Sequence, residues 1–333
     1  MLNEIHELPE GFLTAKTEDL LELLGKPTLI HLSGRDSHPL FVSTLLHGNE
    51  TTGFYALQNI LKHYQNDLPR SLSIFIGNID AAQQNQRMLE WQVDYNRIWP
   101  GTEDANLSEA HMMQQVTDIM KQKQPIASID IHNNTGRNPH YGCINVLDET
   151  CLALVGLFSN TAVYFIRPLG VQSMAFAEFC PAVTLECGQS GEMSGIDHVM
   201  RYLQVCMEMD AIPNRAPEHI NLYHTVARVK VPEHCSFGFS DNATINLVPD
   251  LEMYNFCELE PGTLFANLEA DIHACLQATN EQDEDVTAEY FSCDDNRISL
   301  RKAVMPSMLT MDTTVIRQDC LCYLMEKIDL ERE

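Results

Sequence analysis

The stretch FVSTLLHGNETTG, residues 41–53, carries the strongest structural signal in the chain. Its first half, Phe41 to Leu46, is an apolar run that reads as a short strand, and it leads directly into His47-Gly48-Asn49-Glu50. From Thr51 to Tyr64 the residues Ala56, Leu57, Ile60, Leu61 and Tyr64 fall at spacings of three and four, which predicts a helix. Strand, polar turn and helix follow one another with a histidine and a carboxylate at the junction.

The same order recurs on both sides. Leu29 to Leu32 and Ser71 to Ile76 read as strands, the second closed by Gly77-Asn78. Glu109 to Lys123 reads as a helix, and Ile126 to Ile131 as a buried strand that delivers His132. Val163 to Ile166 and Ala182 to Leu185 are further strands, the latter delivering Glu186. Strands alternating with helices, each strand ending in a polar cluster, predict an α/β fold: a mostly parallel or mixed central sheet flanked by helices, with the site along its carboxyl edge.

Beyond about Ala211 the texture changes. Pro213, Pro217, Pro232, Pro249 and Pro261 punctuate short runs such as Thr225 to Val231 and Thr263 to Leu268. The expected organisation is a catalytic domain over 1–214 and a smaller β-rich domain over 215–333. The acidic run Glu281 to Asp285 reads as a solvated loop.

Hydrophobic residues make up 44% of the 333 and charged residues 20%, the balance of an ordinary globular protein. Twenty-one Lys plus Arg against 47 Asp plus Glu leave a formal charge of -26, which repels nucleic acid and anionic membranes. A small anionic substrate is disfavoured too, unless a few arginines dominate the cleft. No stretch approaches a membrane span, and Met1 to Glu10 lacks the basic opening and apolar run of a secretory signal. Eleven cysteines without paired CxxC spacing suit a reducing compartment, so a cytoplasmic location without disulfide staples is expected.

His47 and Glu50 offer a nitrogen and an oxygen ligand three residues apart, and the intervening Gly48 permits a sharp turn. His132, in ASIDIHNNTG, supplies a third ligand from a separate strand. Two histidines, one carboxylate and an open position make a catalytic zinc arrangement, because zinc lowers the pKa of bound water toward neutrality. The bland alternative is that His47 ends a strand as a hydrogen-bonded loop residue and Glu50 stabilises the first helical turn. Asp130 can orient a ligating histidine or cap neighbouring backbone.

In LEWQVDYNRIWPG, Asn96 and Arg97 form a pair that can hold a carboxylate through parallel hydrogen bonds, and Arg87 can polarise a carbonyl. Surface ion pairs are the alternative for each arginine. Glu186, after AVTL, can take a proton from attacking water and pass it to a leaving nitrogen, or cap local amides. His140 can line the cleft, whereas Trp91 and Trp99 read as packing anchors.

Four motifs in this order, HGNETTG (47–53), DYNR (94–97), DIHNNTG (130–136) and LECG (185–188), resemble the zinc carboxypeptidase superfamily, M14-like, and within it the succinylglutamate desuccinylase/aspartoacylase branch. The resemblance covers most of residues 25 to 200. It implies one zinc ion per chain on His47, Glu50 and His132, Glu186 as general base and acid, Arg87 at the oxyanion, and Asn96 with Arg97 on the substrate carboxylate. Two departures stand out. Arg87 lies farther from Asn96 than the branch's oxyanion arginine does from its own Asn-Arg pair, implying a small insertion. The branch's aspartoacylases also carry an acyl-carboxylate arginine shortly before the catalytic glutamate, and Val171 to Leu185 contains none; Arg167 lies farther upstream.

The expected function is that of a zinc-dependent amidohydrolase acting on a small N-acyl amino acid. A carboxypeptidase acting on a peptide's terminal carboxylate is the first alternative, and a non-enzymatic metal- or ligand-binding protein the second. The sequence leaves homo-oligomerisation open.

Overall fold

The computed structural model describes residues 1–65, 67–240, 242–269 and 274–329. These separate into two compact units, Met1–Asn133 with His140–Asn221, and Asn134–Pro139 with Leu222 onward.

The first unit opens with β1 (Asn3–Ile5), α1 (Leu20–Leu24), β2 (Thr28–Leu32) and β3 (Asp36–Thr44). There follow α2 (Thr52–Tyr64), β4 (Arg70–Ile76), α3 (Ile79–Gln83), α4 (Ser108–Lys123) and β5 (Ala127–Asn134). Then come β6 (Tyr141–Ile144), α5 (Glu149–Gly156), β7 (Thr161–Tyr164), α6 (Gln172–Phe176), β8 (Ala182–Gln189) and α7 (Met193–Glu208). The strands lie in the order β1-β2-β4-β3-β5-β8-β6-β7. β3 is parallel to both β4 and β5, with Phe41 opposite Ser73 on one side and Ser128 on the other. β2 runs antiparallel to β4, and β6 antiparallel to β8. The sheet is therefore mixed, within the α/β class that the alternation predicts.

Central strands read as near-continuous apolar runs because both faces are covered. Leu40 to Thr44 of β3 and all of β5 are buried accordingly. On one face Phe41 stacks on Phe176 of α6 at 4.5 Å, and Trp99 packs edge-on against Phe75 and Phe176. Trp99 is fully buried and anchors the segment that carries Asn96 and Arg97. Trp91 is not an anchor: it is 73% exposed, on an irregular segment between polar Glu90 and Gln92.

Two glycines near the first junction are there for room. The left-handed residue at the end of β3 is Leu45, with φ 55°, and Gly48 has no positive φ. A side chain at Gly48 would run into Ala81 and the backbone nitrogen of Ala82 in α3. The sequence expectation of a freely turning glycine is thus replaced by one of close backbone approach. Gly53 lies in the first turn of α2, where a Cβ would overlap Thr44 Oγ1 of β3 and stand 2.9 Å from Ile131 Cβ of β5.

The second unit contains β9 (Asn221–Lys230), β10 (Phe237–Gly238), β11 (Ile245–Leu247), β12 (Leu264–Leu268), β13 (Gln277–Thr279) and α8 (Thr287–Tyr290). It continues with β14 (Phe291–Asp294), β15 (Arg297–Leu300), β16 (Met305–Ser307), α9 (Thr313–Gln318) and β17 (Cys322–Ile328). One sheet has the order β10-β11-β12-β15-β14, and β9 pairs antiparallel with both β17 and β13. Phe265, Phe291, Ile298, Leu309 and Leu324 are among its core. The segment from 134 to 139 is held here, since Asn255 Nδ2 donates to Arg137 O at 3.0 Å and Met308 N to Asn138 Oδ1 at 3.0 Å. In the acidic run, Glu281 Oε1 accepts from His224 Nε2 at 2.8 Å while Gln282 to Glu284 are exposed.

Cys275 and Cys293 form a disulfide, contrary to the expectation of reduced cysteines throughout. Their separation of 18 residues carries no pairing signature in sequence; the fold brings Cys275, just before β13, to Cys293 on β14 with their Cα atoms 5.9 Å apart. Among the described residues no helix is long and apolar enough to cross a membrane.

Replacing Gly53 by Ala sets a helix-propensity gain of about 1 kcal/mol against an overpacked contact costing typically about 1–3 kcal/mol. Since the obstacles are two core strands, the clash wins. Chemical denaturation of G53A should show a net loss of roughly 1–2 kcal/mol; equal or greater stability would mean that α2 is free to lift off the sheet.

Candidate metal and catalytic site

His47 and Glu50 leave β3 through a turn in which Glu50 N donates to His47 O at 3.1 Å. That turn, with α2 beginning at Thr52, brings both side chains against β5. There His132 and Asp130 share a face, because alternate residues of a strand point the same way. His47, Glu50 and His132 are 3%, 6% and 3% exposed, and their ligand atoms lie within 4.8 Å of one another.

The two histidines present the same nitrogen to the same carboxylate. His47 Nδ1 lies 2.8 Å from Glu50 Oε1, and His132 Nδ1 lies 2.7 Å from Glu50 Oε2. Behind them, His47 Nε2–H donates to Asp94 Oδ1 at 3.0 Å, and His132 Nε2–H donates to Asp130 Oδ2 at 2.8 Å. Ser43 Oγ donates to the other oxygen of Asp130 at 2.6 Å. A carboxylate on the far nitrogen fixes the tautomer and leaves Nδ1 to face a cation. The donor set, two imidazole nitrogens and one carboxylate without thiolate, fits a divalent metal ion of the zinc type.

Arg87 reaches into this cluster, donating from Nη1 to Glu50 Oε1 at 3.4 Å and from Nη2 to Asp94 Oδ2 at 3.2 Å. Asn96 Nδ2 lies 3.3 Å from His132 Nε2, and its Oδ1 accepts from Gln172 N at 3.1 Å. Arg97 follows with Nη1 donating to Asn96 O at 2.8 Å. Glu186 is buried inside β8, not at its end, because the strand runs on to Gln189; Tyr141 of β6 lies directly opposite it. His140 stands outside the cluster, stacked on Phe158 at 5.7 Å and beside His198 at 4.8 Å.

Burial works against the charged form of every group here, and their mutual attraction decides the outcome. For Glu50 burial raises the pKa, but His47 and His132 outweigh it and hold the carboxylate below its ordinary range. Asp94 is held well below its range against burial by His47 and the guanidiniums of Arg97 and Arg87. Burial lowers the pKa of His132, yet Asp130 and Glu50 raise it well above the ordinary value. His47 is raised by Glu50 and Asp94 in spite of burial and Arg87. Glu186 is the exception: burial pushes it up to about 7, Glu50 adds to that, and His132, His47 and Arg87 only oppose it.

The structure brings together all seven residues singled out in sequence, with Asp130 behind His132. It adds Asp94, which braces His47 and Arg87 at once and appeared in the sequence only as the first letter of DYNR. Ser43 and Gln172 also escaped notice. A hydroxyl on a buried strand and a glutamine at a helix start have no motif of their own, and only the spatial neighbourhood reveals them. Arg167 Nη1 lies 4.0 Å from Glu103 Oε1.

Residues 37–201 match the family profile described as the succinylglutamate desuccinylase/aspartoacylase catalytic domain. This part of the chain belongs to that family, the M14-like branch of the zinc carboxypeptidase superfamily and a family of deacylating hydrolases. No curated protein matches the chain. Among solved structures it is similar to a succinylglutamate desuccinylase from Vibrio parahaemolyticus, with TM-score 0.64, 13% identity and coverage of 97% of this chain and 96% of that one. It is similar also to a succinylglutamate desuccinylase/aspartoacylase from Rhodobacter sphaeroides (TM-score 0.61, 11% identity, 91% and 88%). Murine aminoacylase 3 is a third (TM-score 0.56, 15% identity, 88% and 96%). These likenesses are of fold.

The state of Glu186 sets a pH dependence for the metal-free protein. Its pKa is about 7 when folded against 4.5 for the ordinary group, so between those values the folded state holds a proton that the unfolded state has released. The stability that this proton contributes is complete below pH 4.5 and lost as pH rises through 7. Glu186→Gln cannot ionise. Relative to wild type, metal-free E186Q should therefore gain stability between pH 5 and 8, by up to about 3 kcal/mol. A difference that is flat or reversed across that range would mean the folded state keeps Glu186 ionised.

Proposed function

We propose that the protein is a zinc-dependent amidohydrolase that cleaves the amide bond of a small N-acyl amino acid. The observation that carries this reading is that Asn96, half of a carboxylate-binding pair, lies against the ligand histidine His132 at 3.3 Å. A carboxylate held by Asn96 and Arg97 would lie beside the His47–Glu50–His132 cluster, within reach of a short substrate.

His47 Nδ1, Glu50 and His132 Nδ1 would hold the ion, which when bound activates water and polarises a carbonyl. Asp94 and Asp130, accepting from the Nε2–H of each imidazole, would leave Nδ1 as the atom that gives up its proton in favour of the ion. Arg97 fixes the substrate carboxylate with its planar fork, and Asn96 adds an amide N–H. Glu186 accepts the proton of the attacking water and hands it to the departing nitrogen, a task suited to a carboxyl whose pKa is about 7. Arg87 supplies positive charge beside the ligand carboxylate, where the substrate oxygen becomes negative.

Purified protein loaded with Zn2+ is to be tested on N-acetyl and N-succinyl amino acids and on short peptides. Hydrolysis of the N-acyl compounds is expected; release of C-terminal residues from peptides alone would make the protein a carboxypeptidase instead.

Two substitutions separate metal retention from chemistry. His132→Ala removes one of three protein ligands and should sharply lower zinc content by metal analysis. Because it also takes a partner from buried Asp130 and Glu50, stability should fall as well, and the zinc content is compared on protein shown to be folded by circular dichroism. Equal tight zinc content in both proteins would exclude His132 as a ligand. Glu186→Gln should keep zinc and lower turnover by at least about 10²-fold, the low end for general acid–base help. Near-normal turnover with full zinc would leave Glu186 a structural residue.

A further inference from the structure

We infer that the site selects an amino acid with an uncharged, hydrogen-donating side chain, a hydroxyl or carboxamide, through a buried relay formed by Thr184, Ser173 and Asn145. The inference rests on the amidohydrolase reading.

In an N-acyl amino acid the α-carbon carries both the carboxylate and the scissile nitrogen. With the carboxylate at Asn96 and Arg97 and the nitrogen at Glu186, the side chain falls on the wall that joins those two points. A continuous path of contacts defines that wall. Asn96 Oδ1 accepts from Gln172 N at 3.1 Å, and the next residue, Ser173, accepts from Thr184 Oγ1 at 3.0 Å. Thr184 lies two residues before Glu186 on β8, so both side chains point from the same face of the strand. On the neighbouring β6, Cys143 pairs with Thr184 and Tyr141 with Glu186, and that side of the strand continues to Asn145.

The direction of the relay is set at its far end. Asn145 Nδ2 donates to Phe165 O at 3.0 Å, which turns Asn145 Oδ1 toward Ser173, whose hydroxyl donates to it at 2.7 Å. Ser173 having spent its one hydrogen, Thr184 must donate to Ser173, and its own lone pairs are what it offers an incoming group. Ser173 is fully enclosed, and of the two ends Asn145 is tied to Phe165 O whereas Thr184 shares its strand face with Glu186 two residues on, so Thr184 is the end of the relay that a ligand at Glu186 meets.

An acceptor at the end of a buried relay welcomes an N–H or O–H and repels a carboxylate, which has only lone pairs to present. A carboxylate there would also need a cation to offset its desolvation. Neither the stretch from Val171 to Leu185 nor the stretch from Tyr141 to Asn145 contains Lys or Arg.

The test compares kcat/KM of the zinc-loaded protein on N-acetyl derivatives of serine, asparagine, glutamine, alanine, aspartate and glutamate. Serine and the carboxamides should exceed aspartate and glutamate by at least about tenfold, the scale of one well-made hydrogen bond. Thr184→Val should lower the hydroxyl and carboxamide substrates roughly five- to tenfold more than N-acetylalanine. Ser173→Ala probes the same relay from the other side if T184V is poorly folded. Preference for aspartate or glutamate, or an equal loss on every substrate in both variants, overturns the inference. If no N-acyl amino acid is hydrolysed, the amidohydrolase reading fails by itself. Binding of the free amino acids to zinc-loaded E186Q then decides the subsite: asparagine or serine tighter than aspartate sustains it, and the reverse refutes it.

Discussion

The carboxylate of Glu50 is shared. Each of its oxygens faces the Nδ1 of a different histidine, at 2.8 Å for His47 and 2.7 Å for His132, and one of them also accepts from Arg87. On the surface, where water screens the charges, such a grouping of three cationic or cation-capable groups around one carboxylate would contribute little. Burial makes the attraction strong and also makes it obligatory, because a buried charge without a partner is costly by several kcal/mol. The segments at 47–50, 87–97 and 130–132 are bound into one geometry by that requirement.

The fold supplies the rigidity which this pairing needs. Asp130 and His132 sit on the central strand β5, Ser43 on the adjacent β3 steadies Asp130, and Asn133 Nδ2 bonds Thr52 Oγ1 at the start of α2 at 2.8 Å. Polar groups thus tie strand to strand and strand to helix immediately beside the apolar stack of Phe41, Trp99 and Phe176. Such a network gains fold stability only when every member is satisfied. Its value lies in orientation: the same bonds that satisfy Asp94 and Asp130 aim the imidazoles.

Much of this was legible in the chain, and the limits have physical causes. The strand-to-turn transition before His47 is legible because a buried parallel strand is a short apolar run that must end in something polar; His132 instead lies inside β5, which runs on through polar Asn133 and Asn134, and the end of the apolar run at Ile131 does not mark the end of the strand. The two-sided role of Asp94 was not visible, because it depends on a loop folding back 47 positions in sequence to His47. β6 was missed since Tyr141 to Ile144 is only four residues long and contains a glycine. The apolar run AVTL ends before Glu186, but β8 runs on to Gln189, so Glu186 lies inside the strand and is the last rung of its ladder with β6. Trp91 and Trp99 look alike in sequence, yet only Trp99 has apolar neighbours on the core side. The Cys275–Cys293 pairing depends on strand placement that no spacing encodes.

The charges at the site also mean that protons and a bound metal ion would compete there. Glu50, Asp94 and Asp130 surround His47 and His132 and raise the pKa of both against the effect of burial. In a chain whose formal charge is -26, the field of the whole molecule acts in the same direction. A dication bound to the two Nδ1 atoms would neutralise the cluster in place of those protons, and binding must release them. The carboxylates that orient the histidines for a metal therefore also hold the protons that oppose it. Tight metal binding near neutral pH then requires the ion's attraction to exceed the histidines' raised proton affinity. Glu50 tips that balance, because a ligand carboxylate held below its ordinary pKa is already deprotonated when the ion arrives.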